Sequence, residues 1–106
     1  NGESHFEDFN FPFRYNGAIG HLSEQFGASA IIFRQTGGDY DFSWHNAPRR
    51  QYVIMLEGKV DIEIGDGTVR RFGPGDILLA EDTTGRGHIS RAVADAPRRS
   101  IFIPLD

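Results

Sequence analysis

Turn-forming residues interrupt this chain so often that no long helix fits between them. Gly37-Gly38, Gly65-Asp66-Gly67, Gly73-Pro74-Gly75-Asp76 and the Thr83 to Gly87 loop bound short runs rich in Val, Ile, Phe and Tyr. Such runs are strand formers, and Gly, Pro and Asp between them are turn formers. With 13 Gly and 5 Pro in 106 residues, the pattern predicts an all-β chain of roughly seven or eight strands, as a sandwich, jelly roll or barrel. A chain of this length forms one core, so residues 1–106 are read as a single domain.

The expected strands are Ala28 to Arg34, Tyr40 to Trp44, Gln51 to Leu56, Val60 to Ile64, Thr68 to Phe72, Ile77 to Ala80, His88 to Val93 and Ser100 to Leu105. Ahead of them, His5 to Tyr15 alternates aromatic and polar residues around Pro12. We read residues 1–15 as an N-terminal arm or an edge strand. Along Gln51 to Leu56, side chains alternate in direction: Gln51, Val53 and Met55 share one face, Tyr52, Ile54 and Leu56 the other. Both faces are largely apolar, as is Ile101 to Leu105. An outer apolar face on so small a protein is the expected surface of a symmetric homodimer.

Charge and composition exclude several partners. Eleven basic residues stand against fifteen acidic ones, a formal charge of -4, and the arginine pairs are scattered, so nucleic-acid binding is not expected. No run reaches the roughly 18 apolar residues that cross a bilayer, and a soluble protein without membrane partners is expected. A chain starting at Asn1 allows a removed leader. The absence of cysteine leaves imidazole, carboxylate and amide groups as the available metal ligands. The Gly-rich pieces precede no helix and are read as turns, not as phosphate cradles.

Gly38 to Gly58 (GDYDFSWHNAPRRQYVIMLEG) and Gly73 to His88 (GPGDILLAEDTTGRGH) together resemble the two motifs of the cupin superfamily. The resemblance covers about half the chain. In it His45 matches the first histidine, Gln51 stands at the acidic position with six residues between it and Gly58, and His88 ends the second motif after its Gly-Asp turn. Ala47 occupies the second histidine's place; in a shifted alignment Trp44 and Asn46 fill the two histidine positions. The resemblance implies a cupin-type double-stranded β-helix, or jelly-roll barrel, with a mononuclear metal inside it.

His45, Gln51 and His88 are the expected metal ligands and catalytic residues. Two imidazoles and an amide are neutral donors that leave coordination positions open, and on a nitrogen-rich site copper is favoured over iron, zinc or manganese. The leading expectation is a copper-dependent oxidoreductase. The small size and altered ligand set further resemble a compact copper cupin that oxidatively cleaves cellulose, with Trp44 and Tyr40 meeting the polysaccharide; such a protein is expected to be secreted, and otherwise cytoplasmic. Two alternatives stay open: a metal-poor binding module for a small acid or sugar, and a metal-dependent isomerase or lyase acting on a small carbonyl compound. Glu81 and Asp82 are read either as solvated loop carboxylates or as groups supporting the metal. Arg49, Arg50 and Arg86 are candidates for holding an anionic substrate, whereas His5 and His21 receive no role.

Overall fold

A computed structural model describes residues 3–105. All regular structure among them is β: ten strands, β1 (Phe13–Gly17), β2 (Gly20–Ser23), β3 (Ile32–Thr36), β4 (Asp41–His45), β5 (Gln51–Glu57), β6 (Val60–Glu63), β7 (Val69–Phe72), β8 (Ile77–Ala80), β9 (His88–Ala92) and β10 (Arg98–Pro104). Two four-stranded antiparallel sheets, ordered β3-β10-β5-β8 and β4-β9-β6-β7, form a β-sandwich, and β1 and β2 pair with each other alone.

Eight of these strands occupy the segments expected from the turn pattern, with two consequential differences. The Ala28 to Arg34 segment becomes a strand only from Ile32 and runs on to Thr36, and the last strand begins at Arg98 instead of Ser100. Both shifts turn charged or polar side chains inward that hydropathy places outside. The β1–β2 hairpin was not anticipated. Its first strand begins inside the segment read as an arm or edge strand, and Phe13 and Tyr15 are exposed on it.

Residues 3–11 form no strand but run along the open side of the sandwich between β7 and β8. Ser4 donates to the Gly87 carbonyl at 2.7 Å and accepts from the Gly65 amide at 3.2 Å. Glu3 pairs with Arg86 and Asp8 with Arg70. Phe6 reaches inward against the core cluster of Met55, Val60, Ile62, Ile64 and Phe72. Val53 and Leu78, from the same sheet as Met55, pack on the cluster opposite Val60, Ile62 and Phe72 of the second sheet, so the arm closes one side of a core shared by both sheets. Burial of these aliphatic and aromatic groups is the main stabilisation, about 1.5–3 kcal/mol for each fully buried side chain.

Alternation along β5 follows the expected faces: Gln51 and Met55 are buried, while Leu56 is exposed. Across the outer face of the β3-β10-β5-β8 sheet, strand register sets Phe33, Ile101, Ile54 and Ile77 in one row. Phe33 is 75% and Ile77 48% exposed.

Candidate functional site

The space between the sheets that the core cluster does not fill is a cavity of about 530 Å³. His45, Gln51 and His88 all line it, from β4, β5 and β9, and so does Tyr40. Ile32 and Phe42, each about half exposed at 47% and 52%, lie on the edge strands β3 and β4, where the cavity meets solvent.

His45 and His88 are brought together by strand pairing. They are cross-strand partners on β4 and β9, with ring centroids 4.3 Å apart. A β-bulge between Phe42 and His45 re-aims the end of β4, as bulges do beside functional sites, so that both Phe42 and His45 face the cavity. Gly87 permits the approach: its φ is +80°, and a Cβ there would sit 1.9 Å from the His45 carbonyl oxygen. Only glycine combines that backbone conformation with that proximity.

Each imidazole is anchored through Nδ1. The Ser43 carbonyl accepts from His45 Nδ1 at 2.6 Å, and Asp82 Oδ2 accepts from His88 Nδ1 at 2.5 Å. Because a carbonyl and a carboxylate oxygen only accept, the proton sits on Nδ1 and Nε2 keeps its lone pair in each neutral ring. Burial pushes the His45 pKa below its ordinary value, helped by the nearby His88 and Arg34 charges and opposed by the Ser43 bond. A neutral imidazole, the form that ligates metals, is thereby favoured.

Among the described residues no group of three or more His, Cys, Asp or Glu side chains is arranged to hold a metal ion. The Gln51 amide, 7% exposed on the facing sheet, lines the same cavity as the two imidazoles. Ala47 is buried on the cavity wall and its amide donates to the Asp82 carbonyl at 3.2 Å, so the position that matches a second histidine carries no donor side chain. That hydrogen bond ties the chain after β4 to the residue that anchors His88.

Trp44 stands apart from the other expected site residues. It does not line the cavity; the Arg86 guanidinium lies 4.1 Å over its ring. Arg86 also pairs with Glu3, and Arg50 pairs with Glu81 at 2.9 Å. Arg49, Arg50 and Arg86 do not line this cavity. The arginines that do line it are Arg34 and Arg98, which sequence reasoning missed. Their one signal was alternation: Arg98, Ser100 and Phe102 fall on one face once the strand is extended to Arg98.

No protein-family model matches the chain, and no curated protein matches it. Among solved structures, the crystal structure of protein NMB1881 from Neisseria meningitidis is similar, with a TM-score of 0.55 and 18% identity over 78% of this chain and 88% of that chain. At that identity the likeness concerns the fold alone. Fold and comparison together define an all-β protein built as an antiparallel sandwich.

Proposed function

We propose that this chain is a cupin-type jelly roll that binds one mononuclear metal ion, copper by preference, and acts as an oxidoreductase on a small molecule inside its cavity. The strand orders β3-β10-β5-β8 and β4-β9-β6-β7 support the jelly-roll part, because from β3 to β10 consecutive strands switch sheets at every step except the β6–β7 hairpin, as in two interlocked Greek keys. The observation that carries the site is the double Nδ1 anchoring of His45 and His88, which leaves an Nε2 lone pair on each of two adjacent rings. A carboxylate behind a ligating imidazole is the usual support of a metal-bound histidine, and Asp82 supplies it.

In this reading His45 and His88 hold the ion and Gln51 offers its amide oxygen as the third donor. Bound there, a redox metal with open positions supplies electron transfer to or from dioxygen or peroxide. The chain's own contribution is to fix the two rings, keep His45 neutral through its burial and line the cavity with the apolar side chains of Val53, Met55 and Phe102. A cavity of about 530 Å³ falls in the range that encloses a small ligand. Cellulose is the less suited substrate, because Trp44 is covered by Arg86 and presents no platform to the cavity.

The experiment is copper titration followed by electron paramagnetic resonance on the native protein and on His88→Ala. A nitrogen-ligated signal that disappears in His88→Ala is expected; an identical signal in both proteins refutes the site. The outer row Phe33, Ile101, Ile54 and Ile77 further supports a homodimer formed through the β3-β10-β5-β8 sheet, since exposed contiguous apolar surface of this kind is characteristic of association sites.

A further inference from the structure

The cavity wall has a charge pattern opposite to that of the chain. Although the protein carries a formal charge of -4, the cavity is lined by two arginines and two histidines and, among the described residues, by no Asp or Glu. Arg98 is 7% exposed, and its Nη1 is buried without a hydrogen-bond partner. Thr36, its cross-strand partner on β3, likewise has a buried, unpartnered hydroxyl. Among the described residues neither Arg98 nor Arg34 forms an ion pair with a carboxylate.

Both guanidiniums instead meet aromatic rings. Arg98 lies 4.8 Å and Arg34 5.5 Å from the centre of the Tyr40 ring, and Arg34 lies 4.9 Å from that of Phe102. Aromatic faces offset only part of the hydration that a buried guanidinium loses. Burial, with the Arg34 charge beside it, lowers the Arg98 pKa from its ordinary value against the opposing effect of Tyr40. Two like charges around one ring, with an orphaned donor between the sheets, make a site short of one negative charge.

We infer that the ligand of this cavity is a small carboxylate with an apolar body, its carboxylate gripped by Arg98 and Arg34 and its far end held towards His45 and His88. The planar fork of a guanidinium matches a carboxylate in two parallel hydrogen bonds. Phe42, Phe102 and Met55 give the body an apolar wall, which a strongly hydrated phosphate does not use. Arg34 joins the two ends: its charge acts on both Arg98 and His45. The inference rests on the reading that this cavity is where the chain meets its substrate, and it adds the substrate's chemical class.

The test uses the metal-free protein and two probes of equal shape, 3-phenylpropionate and its uncharged amide, followed by amide chemical shifts in two-dimensional NMR. Phenylpropionate is expected to shift the Ser90, Ser100 and Phe102 resonances at concentrations up to about 10 mM, with the amide weaker by about tenfold or more. Arg98→Met, which keeps the volume and removes the charge, is expected to abolish the difference between the probes. Arg34→Gln, at a partly exposed position that folding tolerates better, is expected to weaken carboxylate binding severalfold. Equal binding of the two probes, absence of shifts, unchanged affinity in a folded variant, or tighter binding of inorganic phosphate overturns the inference. Copper titration of the same sample separates the two readings: carboxylate binding without a copper signal leaves this inference standing and removes the metal centre, and the converse removes this inference alone.

Discussion

Replacing Gly87 by alanine tests how the histidine pair is assembled. An alanine at φ +80° incurs the left-handed backbone penalty, about 1–2 kcal/mol. Its Cβ also meets the His45 carbonyl oxygen at 1.9 Å and the Asn46 nitrogen at 2.9 Å. Both atoms are backbone, so no rotamer change relieves the contact. To reach ordinary separation, β9 and the end of β4 must part by more than 1 Å, which endangers the His45 and His88 pairing and the Ala47 to Asp82 bond at about 1 kcal/mol for each hydrogen bond lost.

The total loss is about 3–4 kcal/mol. For a chain of this length each kcal/mol moves Tm by about 4–5 °C, so Gly87→Ala is expected to melt about 15 °C below the native protein. Gly67→Ala is the internal control: its φ is +88° and nothing lies within 4 Å of the added Cβ. It carries the backbone penalty alone, and a fall of about 5–9 °C is expected. The assay is thermal unfolding followed by far-ultraviolet circular dichroism. Equal falls in the two variants refute the argument that the close approach at His45 has an energetic cost of its own.

Asp82→Asn keeps an oxygen that accepts from His88 Nδ1 but removes its charge; copper affinity measured by chelator competition is expected to fall about 10–100-fold while the circular dichroism spectrum is retained. Asp61 has its pKa lowered chiefly by the hydrogen bonds from Arg71. Its contribution is therefore present above the unfolded carboxylate value and lost as pH falls through the lower folded one. Arg71→Gln is accordingly expected to be slightly less stable than the native protein at neutral pH and equal to it in strong acid, as measured by urea midpoints; a difference that persists unchanged in acid contradicts the assignment. Phe33→Glu places a charge in the exposed apolar row and is expected to shift sedimentation equilibrium from dimer to monomer, whereas a native protein that is already monomeric at high concentration removes the dimer.

The hydrophobic alternation and turn residues were enough to place eight strands, because side-chain direction and turn chemistry are local properties of the backbone. Ile77 to Ala80 was located to the residue, and alternation separated the two faces of β5, although with both largely apolar it did not say which one, that of Gln51 and Met55, turns inward. The β1–β2 hairpin was missed because the alternation at Phe13 and Tyr15 marks an extended segment without naming its partner, and Gly20 to Ser23 is too short and polar to read as a strand.

By itself, then, the sequence determined an all-β chain, its strand faces and the histidines and glutamine worth watching. Only the tertiary structure decided which of these residues meet: cross-strand register set His45 against His88, the Thr83 to Gly87 loop folded Asp82 behind His88, and Arg86 covered Trp44. It alone also turned Arg34 and Arg98 inward. Charged residues in a strand read as solvent-facing until the register of neighbouring strands is known, and that register depends on contacts between residues far apart in the chain.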